Sequence, residues 1–218
     1  MSDGIILQLA VGRAHEALLD LSEPRARAWA QRWGLDYRTQ RCRLCADRHF
    51  YWDKIALIQC ALQVRSYRYL VYLDADTVVE RLDVDPRSAV ALPAAPIGMV
   101  RHAAPIGGMQ IVHRNAGAIY VRVCPQVPAF FDAVWNDADC FDPFGWHDQA
   151  AINDVASRPE FDGLVGVLPD RWNSTYRTNE APDAVVSAWH GASLDDRLRL
   201  MCGAVARLRL SEEAAPAA

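Results

Sequence analysis

The chain has 218 residues, 51% of them hydrophobic and 23% charged, with a formal net charge of −4. That size and apolar content suit one domain with a real core and exclude a disordered, collagenous or disulfide-dominated chain. The acidic balance argues against a general nucleic-acid binder, no apolar run is long enough to span a bilayer, and the N-terminus has no basic, signal-like segment, so the sequence reads as cytoplasmic.

Residues 4–10 read as a buried strand, aliphatic and β-branched. A helix follows, with Ser22 as its N-cap, Pro24 in its first turn and Gly34 past its end. Ala26, Trp29, Ala30 and Trp33 recur at i, i+3, i+4 and i+7 on that helix and are assigned to the core. Residues 35–41 read as a second strand. Cys42 and Cys45 then form a lone C-x2-C, with His49 four residues on. With no second pair, this falls short of a structural zinc pattern, and free thiols are the default for all six cysteines in a chain of this size.

Residues 52–64 predict a helix with Ile55, Ile58 and Leu62 on one face, and residues 69–73 a third strand ending at Asp74. A polar turn over 82–87, a short strand near 97–101 and a Gly/Pro-rich loop over 103–109 come next. Residues 116–123 read as a strand, 128–135 and 149–156 as helices, and 165–168 and 185–189 as short strands. Residues 211–218 are rich in Ala, Pro and Glu and read as a frayed tail, leaving 1–210 as one domain. Strands alternating with helices predict an α/β fold with a mostly parallel central sheet, whose ligands sit beyond the carboxyl ends of the strands.

The residues after the third strand carry the strongest chemical signal. A wholly apolar run, Tyr69 to Leu73, leads into Asp74-Ala75-Asp76. Side chains at i and i+2 of an extended chain share a face. Two carboxylates held so repel unless a cation or hydrogen-bond donors lie between them. Oxygen ligands of this kind suit Mg²⁺ or Mn²⁺, ions that also hold substrate phosphates. Lys54, the one lysine among 23 basic residues, precedes that strand on the 52–64 helix.

Leu73-Asp74-Ala75-Asp76-Thr77 resembles the D-x-D motif of nucleotide-sugar glycosyltransferases of the GT-A fold. Four further segments resemble that superfamily in the same order: Trp52-Asp53-Lys54-Ile55, the N-x-G strand at Asn115-Ala116-Gly117, the D-Q-x-x-x-N run from Asp148 to Asn153, and Trp189-His190-Gly191. The motif order is closest to retaining enzymes of the glycogenin and bacterial α-galactosyltransferase type, and similar to fungal and plant α-galactosyl- and xylosyltransferases. The resemblance covers roughly residues 4 to 195. It implies a Rossmann-like GT-A domain that moves a hexose from a nucleotide-diphosphate sugar, a UDP-hexose by analogy, to an acceptor, with Mn²⁺ or Mg²⁺ as cofactor.

Carried over residue by residue, the resemblance makes Asp74, Asp76 and His190 the metal ligands. Lys54, Ala75, Asn115, Ala116, Gly117 and Gly191 would touch the donor, together with Gln8, Ala10 and Val11 at the end of the first strand. Asp148 and Gln149 would lie near the reacting anomeric carbon; Asp148 also fits a helix N-cap. The glycogenin-like Lys-Pro-Trp that should follow His190-Gly191 is replaced by Ala192-Ser193-Leu194, which leaves Arg197 or Arg199 as substitutes. Tyr37 is a candidate to stack on the base, and Trp135, Phe144 and Trp146 to form an acceptor platform.

Three alternatives share these residues. An inverting enzyme would use Asp148 as general base. A nucleotidyltransferase would keep the fold but need a Gly-rich basic loop where the chain has Ala10-Val11-Gly12-Arg13. A non-enzymatic sugar-binding domain would have no need of an intact D-x-D. The acceptor is left open among a saccharide, a lipid-linked saccharide, a protein and a small molecule.

Overall fold

β1 (Gly4–Leu9) is buried along its whole length because parallel neighbours flank it on both sides. Those neighbours are β2 (Asp36–Gln40) and β3 (Tyr69–Asp74). The computed structural model describes residues 2–64, 66–91, 94–106 and 109–213. β5 (Ile97–Ile106), β6 (Met109–Arg114), β7 (Ala118–Arg122) and β8 (Val165–Leu168) complete a seven-stranded sheet in the order β2-β1-β3-β7-β5-β6, with β8 beside β5. The α/β class and single central sheet match the expectation. Parallel pairing holds among β2, β1 and β3 and between β5 and β8, while β7 runs antiparallel to β3 and β5, and β6 to β5. A second sheet of three short strands has the order β4 (Thr77–Val79), β10 (Val186–Ala188), β9 (Ser174–Thr175).

Strand alternation sends side chains to two cores. Ile5 and Leu7 of β1 and Tyr72 of β3 face α2 (Asp53–Leu62), α3 (Gln126–Asn136) and α4 (Asp148–Val155), packing with Ile55, Ile58, Phe130, Phe131 and Ile152. Ile6, Val71 and Leu73 face α1 (Arg13–Arg32), packing with Ala26, Trp29 and Ala30. A third cluster joins Leu18 and Leu19 of α1 to Met201, Ala204 and Val205 of α5 (Leu194–Glu213), with Val78 and Trp189 between them.

Several boundaries differ from the sequence expectation. α1 begins at Arg13, with Gly12 at φ 85 as its N-cap residue, well before the expected cap. Ser22 is a buried helix residue whose hydroxyl accepts from Gln8 Nε2 at 2.6 Å, and Pro24 lies inside the helix. The run from Arg13 to Leu21 is made of good helix formers, and tertiary packing carries the helix across the proline. α2 starts one residue late, after a 3-10 turn at Phe50–Trp52. The expected loop at 103–109 is instead a two-stranded ribbon, with β5 reaching Ile106 and pairing with β6; residues 107 and 108 lie outside the described residues. α5 was not anticipated and runs through Glu213, so the first three residues of the expected tail are helical; residues 214–218 lie outside the described residues.

All six cysteines are unpaired thiols. Among the described residues, no helix is long and apolar enough to cross a membrane. α5 rests on few buried side chains, of which Met201 is the largest and is fully buried. Met201→Ala should lower unfolding free energy by about 3 kcal/mol, read as a lower urea midpoint at unchanged slope.

Candidate active site

The carboxyl ends of β1 and β3 open into a cavity of about 430 Å³. Register sets Leu9 of β1 beside Asp74 of β3, and the Asp74 amide donates to Gly117 O at 2.8 Å across the antiparallel neighbour. Asp74, Ala75 and Asp76 therefore reach the cavity together with the turn before β7.

Lys54 is at the centre. Its Nζ donates to Ala116 O at 3.0 Å and lies 3.2 Å from Asp74 Oδ1 and 3.1 Å from Asp148 Oδ2. The side chain is 6% exposed. Burial pulls the amine's pKa down, but the two carboxylates outweigh it and hold it above the ordinary lysine value. Burial, in turn, pushes the Asp148 carboxyl up, with the Lys54 charge working against it. The Asp148 Oδ2 contact is an ion pair by distance without the alignment of a hydrogen bond. Lys54 is thus enclosed by three of the chain's own acceptors, one hydrogen-bonded carbonyl and two carboxylates, which makes this residue an organiser of the site before it is a ligand contact. α4 begins at Asp148 with His147, at φ 48, in the cap position, so the Asp148 carboxylate faces Lys54 and does not cap the helix.

The D-x-D carboxylates have separate partners. Asp74 Oδ1 accepts from Tyr72 OH at 3.0 Å. Asp76 lies against His190 Nδ1 at 3.2 Å and accepts from an Arg197 guanidinium nitrogen at 3.1 Å. Burial raises the Asp76 pKa, but the charges of His190 and Arg197 win and hold it at about 2. For His190 burial works downward and Asp76 upward, and Asp76 prevails. β10 brings His190 here by pairing with β4, Ala188 opposite Thr77. Gly117 makes room: a Cβ there would sit 2.8 Å from His190 Nε2 and 2.9 Å from Asn115 Oδ1.

Asp74, Asp76 and His190 each offer a ligand atom within 4.8 Å of the others, the one such group among the described residues. His190 Nε2 is buried without a hydrogen-bond partner. Two carboxylates and an imidazole fit a divalent cation such as Mn²⁺ or Mg²⁺. Cys42, Cys45 and His49 form no comparable group among the described residues.

The remaining predicted residues divide. Asn115, Ala116, Gly117, Asp148, Gln149 and Gly191 line the cavity with Lys54 and the three candidate ligands. Gln149 Oε1 accepts from the Ala116 amide at 3.0 Å, and Asn153 clips α4 to Arg114 of β6 through both backbone groups. Gln8, Ala10 and Val11 do not line it; Leu9 does. Gln8 is fully buried and spends its amide on Ser22 and the Tyr37 hydroxyl; Tyr37 does not line this cavity, and the Arg27 guanidinium lies over its ring. Of the aromatic trio, Trp146 lines the cavity and stacks near His113 and Phe144, whereas Trp135 packs against Trp52 and the Arg48 guanidinium. Arg197 lines the cavity; Arg199 turns outward to Asp196.

Sequence reasoning missed His15, Phe50 and Tyr51 at one side of the cavity and His102, His113, Thr175 and Thr178 at the other. His102 is held near pKa 3 by burial and then by its histidine neighbours, so it is a neutral imidazole, within 3.3 Å of Thr175 Oγ1. The signal that could have found it is faint: a histidine within a strand reads as an ordinary edge residue.

The sequence matches no family model and no curated protein. The fold matches solved structures. A glycosyltransferase involved in glycosylating the major capsid of PBCV-1 superimposes with a TM-score of 0.72 at 18% identity, over 92% of this chain and 98% of that one. The bifunctional glycosyltransferase WbbM gives 0.59 at 13% identity, over 96% of this chain and 51% of its own length, so this chain spans about half of it. Mouse xyloside xylosyltransferase 1 gives 0.58 at 11% identity, over 87% and 98%. The likeness is one of fold, and it is the GT-A-type α/β fold expected from the sequence.

Removing the ammonium group would strand the Asp148 carboxylate in the interior. Lys54→Met should cost about 3 kcal/mol of stability in urea unfolding. Adding Asp148→Asn should restore much of that loss, because the uncompensated charge is then gone; a double variant no more stable than the single one would show that Lys54 acts otherwise.

Proposed function

We propose that the chain is a metal-dependent glycosyltransferase that moves a hexose from a nucleoside-diphosphate sugar, a UDP-hexose, to an acceptor hydroxyl with retention of configuration. The observation that carries this is the convergence of Asp74, Asp76 and His190 beside the Lys54–Asp148 pair, in a cavity at the carboxyl ends of the strands. The fold likeness to glycosyltransferases supports it.

A divalent ion on Asp74, Asp76 and His190 would neutralise charge that develops on the leaving diphosphate. The chain's own residues do the rest. Tyr72 and Lys54 fix Asp74, and Arg197 adds a guanidinium beside Asp76 where the lysine of glycogenin-like enzymes is missing. In the transfer, the bond from anomeric carbon to diphosphate oxygen breaks, the acceptor oxygen bonds to that carbon, and the hydroxyl proton passes to the leaving oxygen. Gln149 presents a neutral amide to the cavity and no base, which suits that route. Asp148 as a general base is the second reading, favoured by its position in the cavity and its raised pKa. Its ion pair with Lys54 argues for retention. On the far side, Trp146 and the neutral His102 suit an uncharged, hydroxyl-bearing acceptor.

Asp76→Ala should abolish Mn²⁺-dependent hydrolysis of UDP-glucose or UDP-galactose while the far-ultraviolet circular dichroism stays native. Wild-type rates in that variant would end the metal assignment. With an acceptor in hand, proton NMR of the product should give an α-anomeric coupling, and Asp148→Asn should keep measurable turnover. A β-coupling together with an inactive Asp148→Asn would make Asp148 the base.

A further inference from the structure

Asn173 follows a 3-10 turn at Asp170–Trp172 and is fully buried. Its Nδ2 donates to Asn115 Oδ1 at 2.8 Å, and the Gly117 amide donates to the same oxygen at 2.8 Å. Two donors fill the lone pairs of that carbonyl. The Gly117 N–H also decides which end of the Asn115 amide is oxygen, since a nitrogen in that place would face another donor. With that end fixed, Asn173 has to offer its own nitrogen. The chain of donors therefore sets both amides.

Other asparagines nearby do different work. Asn153 clips Arg114 through its backbone N–H and C=O, and Asn179 receives the Thr175 amide. Asn153 holds only main chain, and Asn179 also donates to the Asp170 carboxylate at 3.0 Å; neither bonds a side chain that lines the cavity. Among the described residues, the Asn173 side chain makes one hydrogen bond, and it goes to a side chain that lines the cavity. Its Oδ1 is buried with no partner. The arrangement leaves Asn115 Nδ2 as a donor with no partner among the described residues.

We propose that Asn173 is a positioning residue for the donor sugar, acting through Asn115 to hold that amide with Nδ2 turned to the sugar's hydroxyls. This rests on the donor reading given above.

The test compares binding of UDP-glucose and of UDP, each with Mn²⁺, by calorimetry. Asn173→Ala and Asn173→Asp, the second of equal volume, should weaken UDP-glucose about five- to tenfold and leave UDP within about twofold. In an Asn115→Ala background, the same changes at position 173 should no longer alter the ratio of the two affinities. An unmoved ratio in the single variants, or an equal loss in the Asn115→Ala background, overturns the proposal. So does failure of both variants to fold, which would make the side chain a structural brace. A wild-type chain that binds neither UDP nor UDP-glucose overturns the donor reading itself, and this proposal with it.

Discussion

Lys54 sets one ammonium group where four separate segments meet: its own helix α2, the end of β3 at Asp74, the turn before β7 at Ala116, and the start of α4 at Asp148. None of the charged partners would be stable there alone. A carboxylate as buried as Asp148 is costly unless paired, and a second carboxylate at Asp74 adds repulsion. One buried cation resolves both and accepts the constraint of being 6% exposed itself. Pairs of this kind contribute little net stability but strongly penalise the loss of either member. The consequence is geometric: α2 and α4 cannot shift relative to β3 without separating a charge pair, so the D-x-D turn and the Asp148–Gln149 pair stay in one frame.

What the amino-acid sequence made legible follows from the range of the interactions involved. β1, β3 and β7 are short apolar runs between two neighbours, and burial on both faces leaves a local signature; β8, which pairs only with β5 and exposes Val167, still falls where expected. The candidate site was legible where a motif lies at a strand end or a helix start, as at Asp74, Asn115, Asp148 and His190. Residues whose role depends on partners far along the chain were not. Gln8 looked like a ligand contact because it is polar in an apolar strand, yet Ser22 and Tyr37 absorb it. β4 and β9 are three and two residues long and exist through pairing with β10, not through local propensity, whereas β10 falls within the strand expected at 185–189. α5 buries only Met201, Ala204 and Val205, a stripe at i, i+3 and i+4 hidden in a charged stretch. Arg197 could be proposed from the sequence beside Arg199, but only the packing of α5 chooses between them.

The second half of the chain depends on Asp76 much as the first depends on Lys54. Both carboxylate oxygens of Asp76 are engaged, one by His190 from the end of β10 and one by Arg197 from α5, residues 114 and 121 positions away. Its low pKa expresses that enclosure: buried carboxylates drift upward unless cations surround them. The Trp189 amide donates to Asp76 O, so backbone and side chain tie the same residue to the late segment.

Ala75 explains how two charge centres of opposite design can stand two residues apart. It is 4% exposed and packs in the cluster that includes Leu18, Leu19, Val78 and Met201. A larger side chain there would push α1 and α5 away from the turn, and a polar one would be buried without a partner. With the middle residue of the motif drawn into the apolar cluster, Asp74 is left to Lys54 and Tyr72 and Asp76 to His190 and Arg197. Apolar packing thus holds the turn from beneath while cations hold it from above. The carboxylates are kept apart by the scaffold before any ligand arrives, which is the condition a cation site needs if it is not to depend on the ion for its shape.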